Sequence, residues 1–229
     1  NFPGFKTTRA PVVWVDLDNG QDVTAERLAA FSRGYQAPPG TDFYWLSYPV
    51  PTIQATRRAS VDALQAALLA LPHRPGWIIL DTLLRAAGVR DENSSEMDIV
   101  MQNLHSLAEN VGAALTVISH SRKENSGRAG NGLRGHSSIE GGLDSVFLVS
   151  REGNGDVIEV VNQKARRKPV DPFGARWTYT ADPISQELWE SRFYWEPVNR
   201  MSKAQAALLN LCQMIVDHLK QSGDMNQSA

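Results

Sequence analysis

Short apolar runs that each end on a carboxylate or another polar group, with amphipathic helical stretches between them, constrain this chain more than any other feature. Pro11-Val-Val-Trp-Val-Asp-Leu-Asp18 is β-branched and apolar on both faces, as a strand buried inside a parallel sheet is, and it ends in Asp16 and Asp18 ahead of Asn19-Gly20. Phe43 to Tyr48 is a second, aromatic-rich strand before Pro49 and Pro51. Trp77-Ile-Ile-Leu-Asp81 is a third, and Ala113 to Ser119, ending at His120, is a fourth buried strand. Between them, Asp22 to Glu26 supplies N-cap chemistry for a helix that Gly34 can stop. Ser60 opens a helix with Asp62 in its first turn and Leu64, Leu68 and Leu71 along one side. Met97, Val100, Met101, Leu104, Leu107 and Val111 keep a helical spacing. Strand and helix in alternation predict an α/β fold, a mostly parallel sheet flanked by helices.

The later part of the chain changes character. Asp144 to Ser150 and Val157 to Val161 read as a hairpin around Gly153-Asn-Gly155, and Arg176 to Thr180 and Leu188 to Trp195 as further antiparallel strands. Met201 to Lys220 reads as an amphipathic C-terminal helix. The expected organisation is a core over residues 1–200 and a helix with tail over residues 201–229. That helix packs on the core, docks a neighbouring subunit or opens a winged-helix domain.

Composition narrows the class. Of 229 residues 42% are apolar, so a full core can be buried and a folded chain rather than global disorder is expected. A net charge of −2 argues against a protein that coats nucleic acid, while leaving room for a ring that grips DNA with a few loop cations. The single cysteine, Cys212, excludes a disulfide framework and a Cys-rich zinc site, and a reducing cytoplasm is the expected home. No apolar run reaches bilayer-spanning length, so no membrane partner is expected.

In open α/β sheets ligands gather beyond the carboxyl ends of the strands. Four apolar residues followed by Asp81 is the pattern of a strand whose carboxylate holds Mg2+ against phosphates; a turn former or helix cap is the plainer alternative. Asp18 is either a turn residue with Asn19-Gly20 or a general base that orients water. His120 is either a satisfied core histidine or, beside Ser119 and Lys123, a group that senses a terminal phosphate. Arg134, Lys164, Arg166 and Arg167 are solvated surface charge or cations that neutralise charge developing in phosphoryl transfer. The Gly-, Arg- and Ser-rich stretch Ser121 to His136 carries Arg122, Lys123, Arg128 and Arg134, suited either to a surface loop or to pairing with a nucleic-acid backbone. It has no aromatic residue for base stacking.

In order and spacing these segments resemble the RecA-like P-loop ATPases of the RepA-type hexameric replicative helicase family, over roughly Asn1 to Trp195. Pro11 to Gly20 resembles the strand that ends in the catalytic base, with Asp18 where a glutamate is usual. Trp77 to Asp81 with Thr82-Leu-Leu-Arg85 resembles the Walker B strand and its continuation, and Asp91 to Ser94 the start of the next helix. Val117 to Lys123 resembles a His-x-x-Lys segment, Leu133 to Ser138 an Arg-Gly-Ser-Ser segment, and Asn162 to Arg166 the Lys-x-Arg strand of DnaB-type rings. The resemblance implies ATP and Mg2+ as cofactors, with Mg2+ on Asp81, Ser119 and Lys123 toward the nucleotide, and Arg134, Lys164 and Arg166 toward a neighbouring subunit. It also implies single-stranded DNA as partner, through Arg122 and Arg128, and a homo-oligomer in the form of a hexameric ring. No G-x-x-x-x-G-K-[ST] loop occurs in the 229 residues. The resemblance places that loop and its strand just before Asn1, so the expectation is a truncated core with apolar surface left open and weak nucleotide binding. G-x-G-x-x-G is also absent after every predicted strand, which disfavours a dinucleotide-binding oxidoreductase.

Overall fold

A computed structural model describes residues 6–90, 95–120, 137–151 and 156–197, together with residues 211, 212 and 214. Two compact units divide at Glu196 and Pro197. The predicted segments Asp91 to Ser94, Ser121 to His136 and Gly153 to Gly155 lie outside the described residues. Of the C-terminal helix, only Leu211, Cys212 and Met214 are described, and they are helical.

The first unit runs β1 (Val12–Asp16), α1 (Gln21–Tyr35), β2 (Phe43–Ser47), α2 (Arg58–Leu69), β3 (Trp77–Asp81), α3 (Leu83–Ala87), α4 (Met97–Val111) and β4 (Ala114–Ile118). It continues with α5 (Ser137–Gly142), β5 (Ser145–Arg151), β6 (Val157–Ala165), β7 (Phe173–Ala181) and β8 (Leu188–Glu196). The first four strands form one parallel sheet in the order β2-β1-β3-β4, and the last four an antiparallel sheet in the order β5-β6-β7-β8. Asp16 stands opposite both Ser47 and Asp81, and Asp81 stands opposite Ile118, so the strands finish level at their carboxyl ends.

Crossover handedness decides which helix covers which face. The step from β1 to β2 runs toward one edge, and the steps to β3 and β4 run toward the other, so α1 lies on one face and α2 to α4 on the opposite face. The second face is complete. Val13, Val15, Ile78 and Leu80 meet Leu68 of α2 and Val100, Leu104 and Leu107 of α4 in one buried cluster. Each such side chain, fully buried, contributes about 1.5–3 kcal/mol. All six apolar residues predicted to line the α4 face are buried.

Among the described residues the α1 face is only half covered. Over β3 and β4 it is open: Trp77 is 43% and Ile118 37% exposed, and Ala114 and Thr116 are exposed between them. The Trp77 indole N–H donates to Thr116 Oγ1 at 2.9 Å across this surface. The expectation that Ala113 to Ser119 forms a buried strand is therefore corrected. Among the described residues β4 pairs only with β3 and is an edge strand, and alternate residues along it reach solvent.

Two helix boundaries also differ from expectation. Asp22 does not cap α1; Gly20 occupies that position at φ 89, and Asp22 falls in the first turn. Gly34 does not stop the helix, which runs to Tyr35 and ends with Gln36 in the left-handed conformation. Gly34 instead lets α1 touch β8: a Cβ there would lie 2.1 Å from the Ser191 carbonyl oxygen. Around this contact Arg33 donates to the carbonyls of Trp189 and Leu188 and stacks on the Trp189 ring, and Phe31 stacks on Phe193. Helix α2 begins at Arg58 rather than Ser60. Ser60 Oγ instead accepts the Gln54 backbone N–H, and Asp62 pairs with Arg58 one turn earlier.

Candidate active site

The ends of β1, β3 and β4 bring Asp16, Asp18, Asp81 and His120 together, with Asn19 as the link. Asp16 is the last residue of β1 and fully buried. Its Oδ1 accepts the backbone N–H groups of Asp18 (3.1 Å) and Asn19 (2.9 Å) and the Asn19 amide (3.2 Å); its Oδ2 accepts the hydroxyl of Thr24 in α1. Burial pushes this carboxyl up, but the hydrogen bonds from Thr24, Asn19 and Asp18 outweigh it and hold it below the usual carboxylate value. With both oxygens occupied, Asp16 organises the turn after β1 and presents Asp18 and Asn19.

Asp81 has the opposite environment. Burial, followed by the negative charges of Asp16 and Asp18, raises it above the usual carboxylate value; the Asn19 amide, 3.4 Å from Oδ2, and His120 offset this in part. A half-buried carboxylate crowded by two others is relieved by a cation. Mg2+ takes few protein ligands, often one or two carboxylates with the rest from phosphate and water, so this donor set fits it. No group of three or more His, Cys, Asp or Glu suited to holding a metal occurs among the described residues. The residues fit Mg2+ at Asp81, and the motif that would cradle a triphosphate is not in the sequence.

Asp18 lies beyond the strand end, partly exposed. Arg85 Nε sits 3.7 Å from its Oδ1 and His120 Nε2 3.9 Å from its Oδ2. The reading of His120 as a core histidine is set aside, since its side chain is 75% exposed. Ser119 precedes it, half-buried at the end of β4. A cavity of about 580 Å3 adjoins Asp18 and His120, between the ends of β1, β2 and β3.

The other sequence candidates lie elsewhere. Lys123, Arg122, Arg128 and Arg134 fall outside the described residues. Lys164 of β6 and Arg166 just after it project onto the C-terminal end of α5: Lys164 donates to the Glu140 carbonyl, and Arg166 donates to the Gly141 carbonyl at 2.8 Å and pairs with Asp144 at 3.4 Å. Cations suit the negative end of a helix, and in this arrangement both serve that end. Residue reading missed three members of the site. Asn19 and Thr24 read as a turn residue and a helix residue, because a hydrogen bond to a strand end from outside the strand leaves no periodicity. Arg85 was legible as part of the Thr82-Leu-Leu-Arg85 run but had no partner until Asp18 was placed beside it.

An AAA domain family model matches residues 1–126, more than half of the chain. No curated protein matches it significantly. Among solved structures, the chain is similar to the RadB recombinase, with a TM-score of 0.52 and 15% identity over 73% of this chain and 76% of that one. That likeness establishes a RecA-like fold and no more. Joined with the matched family, it leads to one conclusion: the chain belongs to the AAA domain family, and its fold is RecA-like.

Proposed function

We propose that this chain is the ATP-hydrolysing core of a DNA motor or loader of the RepA- and DnaB-like replicative kind, working as a hexameric ring on single-stranded DNA. The observation that carries the reading is the convergence of Asp18, Asp81 and His120 at one end of a parallel sheet. Asp81 holds Mg2+, which when bound supplies positive charge against phosphate oxygens. Asp18 orients and deprotonates water; its pairs with Arg85 and His120, at 3.7 and 3.9 Å, are long enough to leave its oxygens lone pairs for that work. His120 and Ser119, with Lys123, face the nucleotide's phosphates. Arg134, Lys164 and Arg166 act on the nucleotide of a neighbouring subunit, and Arg122 and Arg128 contact the DNA backbone.

The open half of the α1 face supports a further part of the reading. A parallel sheet is ordinarily covered on both faces, and a strand joined to β1 by a right-handed crossover from the free side of β4 lays its helix on the α1 side. A phosphate-binding strand, loop and helix seated against β4, Trp77 and Ile118 completes the sheet and brings backbone N–H groups to the phosphates beside Asp81.

The test is ATP turnover by the protein expressed from its natural reading frame, with and without single-stranded DNA, beside Asp81→Ala. Expected is DNA-stimulated turnover that falls at least about a hundredfold in the variant. Unchanged turnover in Asp81→Ala removes the magnesium assignment. Nucleotide binding without turnover favours a second reading, a non-hydrolysing regulatory or DNA-binding module on this fold.

A further inference from the structure

The cavity beside Asp18 holds more than the proposed chemistry uses. Arg85 and Arg90, from α3 and the turn after it, and His120, from beyond β4, line it along with the hydroxyl-bearing residues Tyr48, Thr52 and Thr82. Its carboxylate, Asp18, satisfies the cations only loosely: at 3.7 and 3.9 Å both pairs are longer than a charge-assisted hydrogen bond. The guanidinium of Arg85 therefore keeps donors for another anion.

Tyr48 is the more telling residue. It is 51% exposed and sits at φ 43, a backbone conformation that is costly for a bulky aromatic. Two hydrogen bonds fix it there: its N–H donates to the Asp16 carbonyl at 2.9 Å, and its hydroxyl donates to the Asp18 carbonyl at 2.9 Å. Core packing does not account for an exposed ring held in strain beside cations. An aromatic ring and two guanidinium groups that line one cavity match the chemistry of a nucleotide unit, a base to stack and a phosphate to pair. The cavity volume lies within the range of small-ligand sites.

We propose that this cavity takes one nucleotide unit of single-stranded nucleic acid, its base stacked on Tyr48 and its phosphate paired by Arg85 and Arg90. The consequence at Asp18, and only that, rests on the ATPase reading. A phosphate that engages Arg85 competes with Asp18 for the same guanidinium and loosens the hold on the general base, which ties strand binding to turnover. The glycine- and arginine-rich stretch lacks an aromatic platform, and this cavity supplies one. A free mononucleotide carries the same base and phosphate, whereas a strand adds phosphates outside the cavity.

The experiment is fluorescence anisotropy of a labelled oligothymidylate with the protein from its natural reading frame, across a salt series, beside Tyr48→Asn, Tyr48→Phe and Arg90→Ala. Asparagine tolerates a positive φ without offering a stacking face, so the first variant keeps the fold, which a thermal melt verifies. Tyr48→Asn is expected to weaken binding about fivefold or more and Tyr48→Phe by less than about twofold, since the ring remains. Arg90→Ala is expected to weaken binding and lower the slope of log K against log salt by about 0.7, the loss of one phosphate contact. Wild-type affinity in both Tyr48→Asn and Arg90→Ala overturns the proposal. Thymidine monophosphate that displaces the strand at equal concentration overturns the assignment to a strand. Anisotropy needs no hydrolysis, so unchanged turnover in Asp81→Ala sinks the ATPase reading while leaving this result standing.

Discussion

Asp16 and Asp81 stand opposite each other in the β1–β3 register, yet their surroundings drive them apart. Asp16 is lowered by hydrogen bonds that outweigh its burial, so its ionised form stabilises the fold. That stability is fully present above the unfolded-state carboxylate value and is lost as pH falls through the lower, folded-state value. Asp16→Ala leaves the Thr24 hydroxyl and the N–H groups of Asp18 and Asn19 without their acceptor. A cost of about 3 kcal/mol is expected at pH 7, read by urea unfolding, and the gap to wild type should close in acid. Asp81 has the reverse sign. Its carboxyl is raised, so ionisation opposes folding once pH climbs above the unfolded-state value. Asp81→Asn is therefore expected to raise Tm at pH 7 in metal-free buffer, by about 2 °C, with no gain below the carboxylate range. A variant that loses turnover and gains stability marks a residue kept for chemistry. A Tm that falls at pH 7 instead assigns Asp81 a structural role.

At the scale of elements, helix α1 is tied at both ends. Its first turns serve the site through Thr24, and its last turn carries Gly34 against β8. Glycine to alanine in a helix interior ordinarily stabilises, by up to about 1 kcal/mol. Here the added Cβ meets a backbone oxygen that cannot move aside like the end of a side chain, so Gly34→Ala is expected to destabilise by about 2 kcal/mol in denaturant unfolding. Amide exchange should quicken in β8, the element displaced. The same helix shows where sequence reading succeeds and where it stops. The 3.6-residue spacing from Met97 to Val111 marks the buried face of α4, and the run Trp77 to Asp81 gives β3 its observed bounds, because burial on one face writes a period into the chain. Gly34 looked like a helix stop, because sequence alone cannot tell a glycine that ends a helix from one that admits a neighbouring backbone. Asp18, Asp81 and His120 were legible as strand ends, and their convergence follows from parallel pairing. Asn19, Thr24 and Arg85 were not, since each acts through a partner fixed only by the fold. The role of β4 was misread for a related reason: its residues are apolar enough for a buried strand, and whether a neighbour covers them is not encoded within them.

For the whole molecule, that uncovered neighbour position has energetic consequences. Two four-stranded sheets each present an unpaired edge among the described residues, β4 on one and β5 on the other, and the apolar residues Ile118, Phe147 and Val149 along these edges are 37%, 45% and 57% exposed. Such edges invite pairing, and parallel sheets are rarely left bare on a face. The core cluster on the α2–α4 face is complete by itself, so residues 1–229 expressed alone are expected to fold while displaying the Trp77–Ile118 surface to solvent. Two measurements follow from that state. An apolar reporter dye should bind, and the double variant Trp77→Thr with Ile118→Thr should reduce the signal by about half, with little loss of stability because both residues are already partly solvated. ATP should bind more weakly than about 1 mM by calorimetry, because carboxylates at strand ends repel a triphosphate until backbone N–H groups and a cation offset them. Tight ATP binding by residues 1–229, or a dye signal that the double variant leaves untouched, would show that the open face is no seat for a phosphate-binding unit.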